Sequence, residues 1–333
     1  MRTLPLSAPT LIAPRSLASP RARANRLREK AAELAITAVG LSGIAALILI
    51  VVFVGREALP LFFDPQQIKE AGLGKLFLPQ LLREGKPLGF MWQPVSNVPK
   101  VSMIPLLVGT LKVTVVAMLV AIPLGLSAAL FASEFAPRRA REIIKPVIEL
   151  LAGIPSVVIG FFALMVIASF TQDTFGLQYR LSALVAGLGM AIAIAPVVFT
   201  VAEDAFTAVP RSYREASLAL GATRWETTWR VVLPAAAPGV LAACVLAFGR
   251  AIGETMIVLM ASGNAAIVSA SLTDSTRTMS ATIAAEMGEV VFGSAHYSTL
   301  FFIGVQLFAI TAVLNLVAGA WVRRTVLRLG GKP

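Results

Sequence analysis

Hydrophobic residues gather along this chain in six long runs, at about 34–55, 104–133, 146–170, 181–202, 234–262 and 297–322, with polar and charged intervals between them. Each run meets the length of about 20 apolar residues that an α-helix needs to cross a bilayer core. Lipid offers no partner to backbone N–H and C=O groups, so a spanning segment must be a helix or part of a closed barrel. None of the runs shows the short alternation of a barrel strand. The pattern therefore predicts an all-α integral membrane protein with six transmembrane helices. Prolines interrupt runs two, three and four at Pro123, Pro155 and Pro196. Such breaks either mark a transport pathway or are kinks tolerated in a packed bundle. Run five carries Ala242, Ala243, Ala247, Gly249, Ala251 and Gly253. Small residues let helices approach closely, which places this run near the centre of the bundle.

The intervals set the organisation. Residues 1–33, rich in Arg, Pro, Ser and Ala, are expected to form a mostly disordered arm. The run at 34–55 is too long for a signal-peptide core, so no cleavable leader is evident. The six-helix transmembrane domain is expected over 34–326, with a long first loop at 56–103, a fourth loop at 203–233 and a tail at 327–333. The arm, the second and fourth loops and the tail hold nineteen Lys or Arg, against eight in the first, third and fifth loops. Positive charge stays on the cytoplasmic side, so both termini are expected there.

Composition agrees: 57% of residues are hydrophobic and 14% charged, against about 25% charged in soluble domains. The net charge of +11 would suit nucleic acid, but the basic residues flank apolar runs, so no nucleic-acid role is expected. Cys244 and His296 are each the single residue of their type. No disulfide framework, metal or cofactor is expected. Nor is there a GxxxxGK[ST] phosphate loop, since Gly74-Lys75 and Gly85-Lys86 lack its context. Any ATP-derived drive must come from another polypeptide, and no enzymatic role is expected of this chain.

The fourth loop, EDAFTAVPRSYREASLALGATRWETTWRVVL, contains two candidate capping boxes, Ser212 with Glu215 and Thr223 with Glu226. Gly221 lies between them, where a helix end favours positive φ. Two short helices meeting at a sharp corner are expected, a knob suited to docking into a partner. Trp225 and Trp229, four apart, are expected at the membrane surface or against that partner.

Run five holds the chain's least expected charges, Arg250 and Glu254. An arginine in mid-membrane costs about 2.5–3.5 kcal/mol on insertion scales. At i and i+4 the two would share a helix face, either as an ion pair that locks packing or as part of a wet pathway. A guanidinium matches tetrahedral oxyanions bidentately and stays charged, so an anion pathway fits it. Glu254 would then either hold Arg250 in a closed pair or accept a hydrogen bond from a protonated ligand. Among the other intramembrane charges, Glu149 is expected one turn into span three, at a helix N-terminus. Lys112 is expected either to snorkel outward or to attract anions.

Two stretches carry a resemblance. Glu215-Ala216-Ser217, Gly221, Val231 and Leu233-Pro234 resemble the EAA loop of ABC importer permeases, with Ser217 for the second Ala and Val231 for Ile. GRAIGETMIVLMASGN (249–264), with GTLKVTVVAMLVAIPLGLSAALFASEFAP (109–137) and LLAGIPSVVIGFFAL (150–164), resembles the permease subunits of the bacterial phosphate ABC importer, PstC-type more than PstA-type. The resemblance covers roughly residues 100–325 and implies a type I importer permease bundle in a bacterial inner membrane. It implies Arg250, Glu254 and Thr255 in the substrate pathway. It also implies Glu215, Ala216, Ser217, Leu220, Gly221 and Ala222 in the loop that engages an ATPase. The implied partners are a second, PstA-like permease, a cytoplasmic ATP-binding subunit dimer, an extracytoplasmic phosphate-binding protein, phosphate and membrane lipid. A permease for sulfate or molybdate is the alternative ligand reading. A stand-alone channel or carrier is the alternative class, and it leaves the fourth loop unexplained.

Overall fold

The computed structural model describes residues 20–81, 88–96 and 98–328. Two compact units divide after Phe53. The first is, in its described part, most of helix α1 (Pro20–Ala58), whose apolar residues such as Leu34 and Leu47 are exposed along its length. Of the arm expected to be disordered, residues 1–19 lie outside the described residues, whereas 20–33 are helical. Residues 329–333 of the tail also lie outside them.

In the second unit, three short helices, α2 (Pro60–Phe63), α3 (Pro65–Ala71) and α4 (Leu73–Phe77), precede two small antiparallel hairpins. These pair β1 (Gln80–Leu81) with β2 (Leu88–Gly89) and β3 (Trp92–Gln93) with β4 (Lys100–Val101). Then come α5 (Ile104–Leu130) with a π turn at Phe131–Phe135, α6 (Arg138–Ala152), α7 (Ser156–Phe162), a second π turn at Ala163–Ile167, and α8 (Ala168–Phe175). Helices α9 (Ala183–Ala208), α10 (Arg211–Ala219) and α11 (Arg224–Thr227) lead through a third π turn into α12 (Leu233–Gly253). α13 (Met256–Ala261), α14 (Met279–Glu286) and α15 (Ala295–Arg328) complete the described chain.

Among the described residues, six helical stretches are long and apolar enough to cross a membrane: 28–63, 104–135, 156–175, 183–208, 224–253 and 295–324. Two differ from the sequence expectation. Span three starts at Ser156, because Gly153 and Pro155 end α6, an amphipathic helix with none of its residues buried. Glu149 is therefore exposed near the C-terminal end of α6 rather than near the start of a span. Pro155 sits at the N-cap of α7, not within a span. Span five stops at Gly253, so the run at 234–262 is not one helix. Pro123 and Pro196, by contrast, lie inside unbroken helices.

Helix α9 is the most buried span. It packs along α5 through small residues: a Cβ on Gly187 would meet Val116 side-chain atoms at 2.4–2.5 Å. That distance is shorter than any real contact, so only glycine permits the approach. Helix α9 also meets α12, where Gly239 lies against Ala205. The centre of the second unit is thus α5, α9 and α12, with α12 keeping one side uncovered.

Candidate functional site

Helix α12 ends at Gly253, and Glu254 turns to extended backbone (φ −66°, ψ 130°) before α13 begins at Met256. Arg250 and Glu254 consequently do not share a helix face, and no ion pair joins them among the described residues. The expectation of a paired Arg250–Glu254 is corrected by this break. Glu254 serves its own backbone instead. Its Oε1 accepts from the N–H of Thr255 (3.1 Å) and Ile257 (3.5 Å), two of the free donors at the start of α13. The Glu254 carbonyl accepts from Ser280 Oγ at 2.7 Å, and Thr255 Oγ1 donates to the Gly253 carbonyl at 3.2 Å. These bonds satisfy groups that an unbroken helix would have paired internally. Glu254 Oε2 has no partner among the described residues.

Arg250 is exposed, as are Leu246 and Gly253 on the same face of α12. A Cβ on Gly249 or Gly253 would meet nothing within 4 Å. Behind this stripe Ala243, Ala247 and Ala251 are buried. The chain therefore presents an unpaired guanidinium on an open, small-residue face within a run of spanning length. Bare lipid is a poor neighbour for that face.

Lys112 behaves otherwise than expected. It neither snorkels nor reaches an open face: the residue is 8% exposed and Nζ has no hydrogen-bond partner among the described residues. It belongs to the interior of the bundle, one turn beyond Gly109, whose missing Cβ makes room for the backbone of Arg277.

The fourth-loop residues lie together at the opposite end of α12. Gly221 has φ +85°, as its place between two helices requires. The Thr223 capping box forms, with Glu226 N–H donating to Thr223 Oγ1 (3.2 Å) and Thr223 N–H to Glu226 Oε2 (2.9 Å). The Ser212 box does not form: Pro210 is the N-cap of α10, and no side chain caps it. The second expected short helix is also not separate, since α11 runs through the π turn into α12. Glu215, Ala216, Leu220 and Gly221 are exposed and Ala222 is half-buried, so the corner is available for docking. Ser217 is half-buried, and its hydroxyl lies 2.9 Å from Thr227 Oγ1, tying α10 to α11. Ser217→Ala is expected to cost about 1 kcal/mol, read as faster amide exchange across 211–222. Trp225 stacks edge-on to Trp229 (5.6 Å between centroids) and lies 5.9 Å from Phe135.

Sequence reasoning missed three ionic clusters. Arg214 donates to both oxygens of Glu134 (2.6 and 3.0 Å) and to the carbonyls of Phe206 and Val209. Glu203, buried on α9, accepts from Arg141 and from Lys145 (2.9 Å) on α6. At the end of the bundle bearing the first loop, Glu286 accepts from Trp92 Nε1 (3.0 Å), Arg277 and His296 Nε2 (2.8 Å). The hint for Glu134 and Glu203 was an acid at the end of an apolar run, but their arginine partners lay 80 and 62 residues away.

Burial alone would raise the Glu286 carboxyl, but the bonds from His296 and Trp92 and the charge of Arg277 outweigh it and hold it below its ordinary value. A carboxyl depressed by folding contributes stability above its unfolded pKa and loses it as pH falls through the folded one. The β3–β4 hairpin is thus expected to keep its amide protection from neutral pH down to about pH 4.5 and to lose it in stronger acid. Glu286→Gln should abolish that acid step, and hydrogen exchange of residues 88–101 against pH reads it.

Comparison with known proteins adds to this geometry. The family described as "Binding-protein-dependent transport system inner membrane component" matches residues 121–330. The chain is 34% identical over 300 residues to the "Probable ABC transporter permease protein YqgH" of Bacillus subtilis, covering 89% of this chain and 91% of that protein. It is 35% identical over 305 residues to the "Phosphate transport system permease protein PstC" of Mesorhizobium japonicum, covering 86% and 89%. Among solved structures, a bacterial ABC transporter involved in the import of the acidic polysaccharide alginate has a chain with TM-score 0.57 at 16% identity, covering 90% of this chain and 99% of that one. An inward-facing MetNI methionine ABC transporter has one with TM-score 0.54 at 19% identity, covering 67% and 97%. At these identities the structural likeness establishes the shared fold of ABC importer permeases.

Proposed function

The chain belongs to the binding-protein-dependent transport system inner membrane component family, and from that premise we propose that this permease subunit forms half of a phosphate-conducting pore. The observation that carries the reading is Arg250, exposed on the open face of α12 and without an ion-pair partner among the described residues. A second permease of the same kind, facing that stripe, would exclude lipid from it and enclose a wet passage. There a guanidinium fork binds a tetrahedral oxyanion bidentately. The relatives named as phosphate transport permeases support phosphate as that anion.

Glu254 and Thr255 then border the passage where the helix breaks. The two N–H groups on Oε1 orient the Glu254 carboxylate and leave Oε2 as an acceptor. Phosphate near neutral pH keeps one or two protons and sulfate keeps none, so such an acceptor favours phosphate. The excess of Lys and Arg in the terminal segments and the second and fourth loops supports a cytoplasmic address for both termini and the corner at Gly221, where Glu215 to Ala222 would engage an ATP-binding subunit pair. A binding protein delivers phosphate at the other face.

The test is uptake of labelled phosphate into vesicles holding the assembled complex, with and without ATP, against competing sulfate. ATP-dependent uptake resistant to sulfate is expected, and ATP-independent flux would end the reading. Glu254→Gln is expected to narrow the preference for phosphate over sulfate by about tenfold, the worth of one hydrogen bond to a charged group. Unchanged competition would remove Glu254 from selectivity.

A further inference from the structure

At the cytoplasmic foot of the bundle, four arginines surround one cavity of about 380 Å³. Arg141 comes from α6, Arg211 and Arg214 from α10, and Arg224 from α11, while Glu134 supplies the one carboxylate of the lining. Glu134 is already taken by Arg214, and Arg141 is held by Glu203 and Thr207 behind it. Arg211 and Arg224 are exposed and have no ion-pair partner among the described residues. Guanidinium groups crowded around one space repel one another, and partial burial strengthens that repulsion. Glu134 offsets Arg214 and Glu203 offsets Arg141, which leaves the charges of Arg211 and Arg224 unbalanced.

We propose that this cavity binds a phosphate group from the cytoplasmic side, at a site separate from the transport pathway. Planar guanidinium forks match tetrahedral oxyanions in geometry as well as charge. The volume exceeds several waters at about 30 Å³ each, so a partly hydrated phosphate fits. The group can arrive as free inorganic phosphate or as the headgroup of an anionic phospholipid in the adjoining leaflet. Once bound, it bridges α6 to α10 and α11, tying the ATPase-docking corner to the bundle. Its cytoplasmic address rests on the orientation proposed above, whereas its existence does not depend on Arg250.

The experiment uses the assembled complex carrying Arg250→Gln, so that pathway binding is weakened, in nanodiscs of phosphatidylcholine or of phosphatidylglycerol. Equilibrium binding of labelled inorganic phosphate is compared with and without Arg211→Ala plus Arg224→Ala. In phosphatidylcholine, the added pair of substitutions is expected to weaken phosphate binding at least about tenfold. If the headgroup is the natural occupant, phosphatidylglycerol retained by the complex on detergent extraction is instead lost from the substituted form. An unchanged phosphate affinity together with unchanged lipid retention overturns the site. Should the alanine pair prevent assembly, Arg211→Lys plus Arg224→Lys keeps the charge and removes the forks. That form must then bind phosphate or lipid more weakly than its parent, or the site is overturned. Normal uptake by the Arg250→Gln complex would instead bring down the pathway reading, with the binding difference intact.

Discussion

Arg250→Gln is expected to lower ATP-dependent phosphate uptake by about tenfold to hundredfold, the rate equivalent of losing about 1.5–3 kcal/mol of hydrogen bonding to a charged ligand. The loss should fall on transport and spare the fold. Arg250 has no partner to strand, since no described residue pairs with it and the neighbouring Gly249 and Gly253 face open space. Removing the charge even eases insertion, by the same few kcal/mol that a mid-membrane arginine costs. The complex should therefore assemble at normal levels while uptake fails. Arg250→Lys keeps a cation but not the planar fork, and an intermediate rate is expected. The measurement is initial uptake in vesicles, normalised to complex recovered by affinity purification. Uptake within about twofold of the parent, at equal assembly, would remove Arg250 from the pathway.

What could be read from the residues beforehand follows a physical divide. Six spans were legible because lipid makes helix length and apolarity obligatory together. The corner at Gly221 was legible because positive φ, a capping box and the spacing around it are local properties. The break after Gly253 was not. Apolar residues resume at Met256 directly after Gly253-Glu254-Thr255, so the run still reads as one span, and the bonds that accompany the break involve Ser280, Thr255 and Ile257. The same blindness hid α6: its apolar stripe merges in sequence with span three, and only Gly153 and Pro155 separate the two. Lys112 is hidden for a related reason. Helical periodicity gives its face, but not that this face is buried. For the candidate site, residue types were therefore readable, while the relation between Arg250 and Glu254 required three dimensions.

The second large effect is expected at Arg214. Its guanidinium joins three parts of the chain at once: Glu134 on the π turn after α5, the Phe206 carbonyl near the end of α9, and the Val209 carbonyl in the linker before α10. Phe206 lies in the last turn of α9, where its carbonyl accepts from the Val209 N–H at 3.3 Å, and Arg214 adds a second donor there while anchoring the next helix. Glu134 is nearly buried and Arg214 mostly so, at 9% and 21% side-chain exposure. Removing one member of such a pair leaves the other desolvated and uncompensated, at about 3 kcal/mol, the lower end for buried pairs. Arg214→Met should therefore free α10, raise amide exchange across 211–219 more than tenfold and reduce the ATPase recovered with the complex. Glu134→Gln should do less, because the two carbonyl bonds to Arg214 survive. The double form Arg214→Met with Glu134→Leu leaves no stranded charge, and should recover part of the lost protection but little of the uptake. That split separates anchoring from simple stability: if exchange and uptake recover together, the pair only holds the fold, and force from the ATPase reaches the bundle by another route.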